Sequence, residues 1–318
     1  MTVRRWLLAM TALTLLAGCA RHDPPPAPAV DLAVPDPAAA DPGGGDPEAQ
    51  QLRQQARAAL DRYEQAVRRA GNSRRFVPVG ALYDQIGDWE ADNGQYKAAF
   101  LSGLVEPAAA LPPLPRSRGL VRWADGERLA VPLAGAEATL AGFRTGHGAD
   151  CGGCPVLRVT GARLTTLRVD TTRGPATAPA WEYTLDGTSV RVVRLAVDAS
   201  AQVRVEPPSW DPNAPTALGI DAAVTSRGSL RLSVSFTGAP ETGDKPCGKD
   251  YTAEAVESET AVVVIVYSHP YPSPLPEGHG CLAIGAQRSA EAELVREVGE
   301  RAVLDVQQGL PVRLTVTR

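Results

Sequence analysis

Cysteine is the residue type whose placement in this chain most plainly implies chemistry, and Cys19 comes first. It closes the tetrad Leu16-Ala17-Gly18-Cys19. Arg4 and Arg5 form a positive start, and Trp6–Leu16 is an uncharged apolar run of signal-peptide length, too short to span a bilayer. A thiol directly after two small residues at that point reads as a bacterial lipobox. There the sulfur is diacylated and the peptide is cut just before it. The competing reading, a secretory signal with an incidental cysteine, requires the thiol to fall on the cleavage point by chance. Each buried methylene contributes about 0.8 kcal/mol, so a diacylglyceryl group anchors far more durably than one acyl chain.

Four further cysteines remain: Cys151, Cys154, Cys247 and Cys281. An exported chain favours disulfides, and four thiols allow three pairings. The expected pairs are Cys151–Cys154, made feasible by the flexible Gly152-Gly153 between them, and Cys247–Cys281. The second closes a loop of about 35 residues, for roughly 3.8 kcal/mol in the chain-entropy model, against roughly 1.9 kcal/mol for the first. A Cys-x-x-Cys pair could instead be redox-active, but that chemistry uses a helix N-terminus to stabilise the thiolate. Here Pro155 follows and Val156–Val159 reads as a strand. Zinc, with His147 beside Cys151, would need Cys247 and Cys281 to converge on the same ion.

Other chemistry-bearing residues are sparser. Asp88, Glu90 and Asp92 echo the opening of a calcium loop. However, Gly94 falls one place late and Ala99 stands where a bidentate Glu belongs, so a polar turn around Trp89 is the simpler reading. The same carboxylates, taken as a pair, are what an envelope hydrolase acting on wall polymers would use, provided Asp88 and Glu90 face one cleft about 5–10 Å apart. Histidines stand at 22, 147, 269 and 279, without a nucleophile elbow, a His-Glu-x-x-His or a phosphate loop. His269 and His279 share a Pro/Gly-rich loop with Tyr271, and Trp210 lies in the Pro207–Pro212 segment. Aromatics on proline-stiffened loops make good contact residues, so Trp210, His269, Tyr271 and His279 form the candidate binding surface.

These residues need a scaffold. Residues 1–18 are the signal peptide, and 19–46 form a Pro/Ala/Asp/Gly-rich linker that cannot bury enough apolar surface to fold. Where extended, such a linker rises about 3.1 Å per residue and acts as a stalk. Residues 47–71 read as a helix. Asp46 is the N-cap, Pro47 takes the first position, Leu52, Ala56, Leu60, Tyr63 and Val67 recur at helical spacing, and Gly71 ends it. Its apolar stripe is expected to dock on the adjoining domain. Its arginine-bearing face suggests membrane contact, but Asp61 and Glu64 interrupt it.

Beyond residue 72 the pattern turns to strands: 76–79, 96–105, a hairpin of 120–123 and 128–131 around Asp125-Gly126, then 156–160, 163–170, 180–186 and 189–198. A second short helix is expected over 134–144. After the Pro-rich crossing at 206–215, strands are expected near 218–224, 228–237, 250–257, 260–268, 282–288, 291–296, 301–306 and 311–317. The expected fold is mainly β (α+β), with sandwich-like or barrel-like antiparallel strands. Its β-rich subdomains cover 72–205 and 206–318. A likeness between 180–197 and 250–266, each an aromatic-led strand followed by a Val-rich one, admits either duplication or two generic hairpins.

The chain carries 32 basic and 36 acidic side chains, and losing Arg4 and Arg5 with the signal makes it more acidic still. That disfavours nucleic acid, whose binding needs a basic face. No motif calls for a cofactor or a catalytic metal. The expected contacts are the membrane, through the lipid, and an envelope protein or wall component.

The mature part resembles an uncharacterised actinobacterial lipoprotein family. The resemblance covers nearly all of 76–318. It rests on Phe76-Val77-Pro78-Val79-Gly80, Gln85-Ile86-Gly87-Asp88-Trp89-Glu90, Val159-Thr160-Gly161-Ala162, Thr172–Thr177 with Pro179–Glu182, and Cys247-Gly248-Lys249-Asp250-Tyr251 with Val256-Glu257-Ser258. That family has no assigned activity. The resemblance implies a lipid anchor and an extracytoplasmic site, and it carries over no catalytic residue. The expected role is a non-enzymatic binding or interaction module, with the hydrolase and a Cys151/Cys154 oxidoreductase as alternatives.

Overall fold

A computed structural model describes residues 46–90, 94–144, 151–275 and 280–317. Cys19, the signal peptide, the linker up to residue 45, Asp92, His147 and His279 lie outside the described residues.

The first helix, α1 (Pro47–Arg69), forms for the reasons its sequence supplies. The Asp46 side chain accepts from the Glu48 N–H at 3.0 Å, and Gly71 adopts φ 66° to end the helix. Its buried stripe, including Leu52, Ala56, Leu60, Tyr63 and Val67, does not dock on the strands that follow directly. It packs instead on Ala261, Val263, Ile265, Ala302 and Leu304, about two hundred residues further along the chain. The sequence pattern specifies an apolar face but not its partner.

The first half is one eight-stranded sheet. Its strands are β1 (Pro78–Val79), β2 (Tyr83–Ile86), β3 (Val105–Pro107), β4 (Arg118–Trp123), β5 (Arg128–Pro132), β6 (Leu157–Thr171), β7 (Ala176–Leu185) and β8 (Arg191–Leu195), in the order β1-β6-β7-β4-β5. β8 extends from β7 and carries β2, and β3 lies parallel to β6. The two strands expected at 156–160 and 163–170 are one long β6 with a register shift between Val159 and Gly161. That irregularity changes which face the alternation presents. Leu157 and Val159 pack with Trp181 and Tyr183, whereas Leu167 and Val169 pack with Ala176 and Ala178 in a separate core.

Segment 96–105 is a correction. Gly94–Leu101 is a helix, α2, not a strand. Ala99 and Phe100 are its buried residues, and Gly103 (φ 73°) ends it, with the Leu104 N–H donating to the Ala99 carbonyl. Short apolar runs fit both periods, and here the packing of Phe100 against Trp89, Tyr83 and Phe143 decides. α3 (Ala136–Arg144) lies where the second short helix was expected. Its start is held by Trp181 Nε1 donating to the Ala134 carbonyl (2.9 Å) and Tyr183 Oη donating to the Ala136 carbonyl (2.7 Å).

The second half is a sandwich. One sheet runs β13 (Ala286–Glu293), β10 (Arg231–Gly238), β9 (Ala222–Ser226), β15 (Arg313–Thr317). The other runs β11 (Lys249–Glu257), β12 (Ala261–Pro270), β14 (Ala302–Asp305). Their inner faces meet at Leu232, Val234, Phe236, Val262, Val264 and Val303, and α1 covers the outer face of the second sheet. Residues 261–266 are therefore apolar on both sides and wholly buried. The chain changes sheet at β13, β14 and β15, so β14 lies parallel to β12 and β15 parallel to β9 within otherwise antiparallel pairings. Segments 282–288 and 291–296, expected as two strands, contain the single strand β13, and Leu282–Gly285 pair with nothing. β6 pairs with β7, whereas β10 belongs to the sheet opposite β11. The likeness between 180–197 and 250–266 therefore ends at two hairpins.

Of the carboxylates that arginines hold, Glu257 and Glu182 are the least exposed. Arg301, nearly buried, donates to Glu257 Oε2 (2.6 Å) and to the carbonyls of Arg296 (2.6 Å) and Glu297 (2.8 Å). This ties the β11–β12 turn to the loop before β14. Glu182 receives Arg163 and Arg191 at 2.6 and 2.7 Å, which ties β7 to the strands on either side.

Candidate functional site

Cys247 and Cys281 form a disulfide with their Cα atoms 5.5 Å apart. Just after Cys247 the backbone turns so tightly that a Cβ at Gly248 would overlap the Thr242 carbonyl, and only glycine fits there. Cys247 itself takes φ 64°, a conformation uncommon outside glycine. The bridge fastens segment 280–285 beside the ends of β10 and β11 and opens a groove of about 680 Å³.

The groove floor is Tyr251. Its ring stands edge-on to Phe236 at 4.9 Å, its hydroxyl accepts the Ala239 N–H at 2.6 Å, and the Arg288 guanidinium lies 5.6 Å from its centroid. Gly238 permits this approach, since a Cβ there would collide with the Tyr251 hydroxyl. One wall is Leu282 and Ile284, exposed by 78% and 59%. Lys249 and Glu241 stand at the rim. Two exposed branched side chains beside an aromatic floor, held by a covalent bridge, make an apolar recognition surface with charge at its edge.

Among the described residues, the sequence-predicted surface residues Trp210, His269 and Tyr271 do not line this groove. Opposite residues of a hairpin share a face, so His269, opposite Asp250, points with Glu254 and Tyr267 toward the α1 side. Tyr251 points the other way, into the sandwich. His269 Nε2 lies 2.8 Å from the Thr252 hydroxyl. Tyr271 is half-buried, and its N–H donates to the Gly248 carbonyl at 3.0 Å, closing the base of the hairpin. Trp210 is 86% exposed in the crossing between the two halves. The overlooked residues were Tyr251, Leu282 and Ile284. Their signal was the apolar run Leu282-Ala283-Ile284 between glycines directly after a cysteine. Reading it as a strand hid it.

Cys151 and Cys154 also form a disulfide, in a turn in which the Cys154 N–H donates to the Cys151 carbonyl at 3.1 Å. The next element is β6, so no helix N-terminus begins there to stabilise a thiolate. Asp88 is exposed. Glu90 accepts from Thr188 Oγ1 (2.8 Å), the Ser189 N–H (3.0 Å) and Ser189 Oγ (2.6 Å). These bonds, the Ser189 hydroxyl foremost, hold it well below the usual carboxylate range, unsuited to giving up a proton near neutrality. Neither carboxylate lines the groove. Trp89 packs on Phe100 and donates to Gln85 Oε1 (2.6 Å), an ordinary polar turn around a packed ring.

Comparison with protein-family models, with curated proteins and with solved structures gives no match. Among the described residues no helix is long and apolar enough to cross a membrane. The two disulfides are compatible with an extracytoplasmic location.

Proposed function

We propose that this is an exported protein held to the outer face of the cell membrane through a lipid on Cys19, and that it works as a non-enzymatic binding module of the envelope. One observation carries the binding role: the groove beside Cys247–Cys281, with its aromatic floor and its exposed Leu282 and Ile284. A surface of this kind is costly to leave in water and useful when a partner covers it. The lipobox at Cys19, the linker after it and the likeness to the actinobacterial lipoprotein family support the location. The hydrolase reading needs a carboxylate pair in one cleft, and Glu90 is already engaged by Thr188 and Ser189.

The test is made in living cells with the full chain. A photoreactive residue replaces Ile284 in one strain and exposed Arg128 in another, each with Cys19 intact or as Cys19→Ser. The reading expects membrane-fraction protein that is released by Cys19→Ser. It also expects a discrete crosslinked species from position 284 that position 128 does not give. Equal labelling from both positions would remove the binding role, and a Cys19→Ser protein that stays in the membrane fraction would remove the anchor.

A further inference from the structure

A second cavity, of about 520 Å³, lies where the two halves meet. β2, α2 and α3 supply one side of it. Residues 203–207, 221 and 310–312 supply the other. Its character differs from that of the groove, because two arginines, Arg194 and Arg204, line it.

Arg194 is on β8 directly opposite Tyr83 of β2, so the two side chains share a face. Its guanidinium lies 4.9 Å from the centre of the Phe143 ring on α3. Gly142 makes this possible, since a Cβ there would run into the guanidinium. Below, Tyr83, Phe100 and Phe143 form an aromatic cluster with centroids 5.2 to 5.9 Å apart. The Arg194 side chain is half-buried, yet among the described residues its guanidinium makes no hydrogen bond and no ion pair. Arg301, the most buried of the ion-paired arginines, has Glu257, whereas Arg62 on α1 shares with Arg194 partial burial without an acid partner among the described residues. The charge nearest in effect to Arg194 is Arg204, of the same sign. Burial first, and then that neighbour, pull its affinity for the proton below the ordinary arginine value. Asp221 also lines the cavity but forms no ion pair with either arginine. Two cations against one acid leave the cavity positive.

We infer that this cavity is a binding site for a small organic carboxylate, whose planar oxyanion meets the Arg194 fork and Arg204 while its apolar body rests on the Phe100–Phe143 floor. The fork geometry of guanidinium suits a carboxylate bidentately, and a cation already held on an aromatic face is oriented before the ligand arrives. The volume falls within the usual range for small-molecule sites, about 300–1,000 Å³. The aromatic floor favours an anion with an apolar body over a bare inorganic one. The inference does not depend on the groove, which lies elsewhere on the second half and shares no lining residue with the cavity.

Calorimetric titration of the full chain tests it, with benzoate, benzyl alcohol and inorganic phosphate as probes. Benzoate is expected to bind with a Kd of about 1 mM or tighter. Its affinity should fall at least about tenfold in Arg204→Ala and in Arg194→Met, and weaken with added salt. Benzyl alcohol should give no binding, and phosphate should bind more weakly than benzoate. Arg204 is exposed, so Arg204→Ala keeps the native circular dichroism and decides the matter even if Arg194→Met fails to fold. Three results would overturn the inference: no benzoate binding to the native chain, unchanged affinity in Arg204→Ala, or phosphate binding as tightly as benzoate. The last would mark a site for free inorganic anions.

Discussion

Opening the Cys247–Cys281 bridge, as Cys247→Ala with Cys281→Ala, is the most informative single perturbation. In the folded chain the bridge holds segment 280–285 at the groove, and its effect on stability comes mainly through the unfolded chain. Lys249 pairs with Pro270 at the end of the β11–β12 hairpin, which shortens the loop the bridge has to close wherever that hairpin is formed. With the whole loop of about 35 residues free, the chain-entropy model gives roughly 3.8 kcal/mol. If the hairpin persists in the unfolded ensemble, the loop left to close is only about 11 residues, and the figure falls to roughly 2.8 kcal/mol. The Cys151–Cys154 bridge is the internal control at roughly 1.9 kcal/mol, because it spans three residues in sequence. Urea unfolding followed by circular dichroism measures both. The expected outcome is a loss of about 3 to 4 kcal/mol for the first pair, with a steeper denaturant dependence as its unfolded state expands, and a smaller loss for the second. A smaller loss for the first pair than for the second would refute the loop-entropy account.

Two further outcomes follow from the charges. Arg301→Met leaves Glu257 without its cation and the Arg296 and Glu297 carbonyls without their donor, and should cost about 3–5 kcal/mol in the same urea assay. A loss under about 1 kcal/mol would show that the network is dispensable. Glu254 accepts both Arg53 Nε (2.7 Å) and Arg53 Nη2 (2.9 Å), joining α1 to β11, and Arg53 chiefly lowers its pKa. A depressed carboxylate stabilises the fold above its unfolded value of about 4.5 and loses that contribution as pH falls through the folded value. Glu254→Gln should accordingly flatten the fall of the urea midpoint below about pH 4.5 while leaving the native circular dichroism intact, and an unchanged acid slope would remove Glu254 from the linkage.

Residue order alone determined much of the local structure here. Asp46, Pro47 and Gly71 delimit α1 because capping and backbone freedom depend on neighbours a few residues away. Asp125-Gly126 fixes the β4–β5 hairpin for the same reason, and the β-branched run at 261–266 reads as a strand, although its burial on both faces was decided by α1 and the opposite sheet. The Cys247–Cys281 pairing was legible because the signal-like start led to an expectation of oxidised thiols and the intervening segment reads as a hairpin. What the tertiary structure decided were contacts between residues far apart. α1 crosses the chain to cover β12 and β14, since an apolar stripe states that it needs a partner but not which one. Gly94–Leu101 is helical because Phe100 finds an aromatic pocket built from three other segments. Leu282 and Ile284 became a groove wall because a disulfide holds them away from any strand, and Tyr251 and His269, eighteen residues apart, were sent to opposite faces by the hairpin register. Arg194 and Arg204 share one cavity only because the two halves close on each other. Periodicity is a property of neighbours in sequence, whereas a site is a property of neighbours in space.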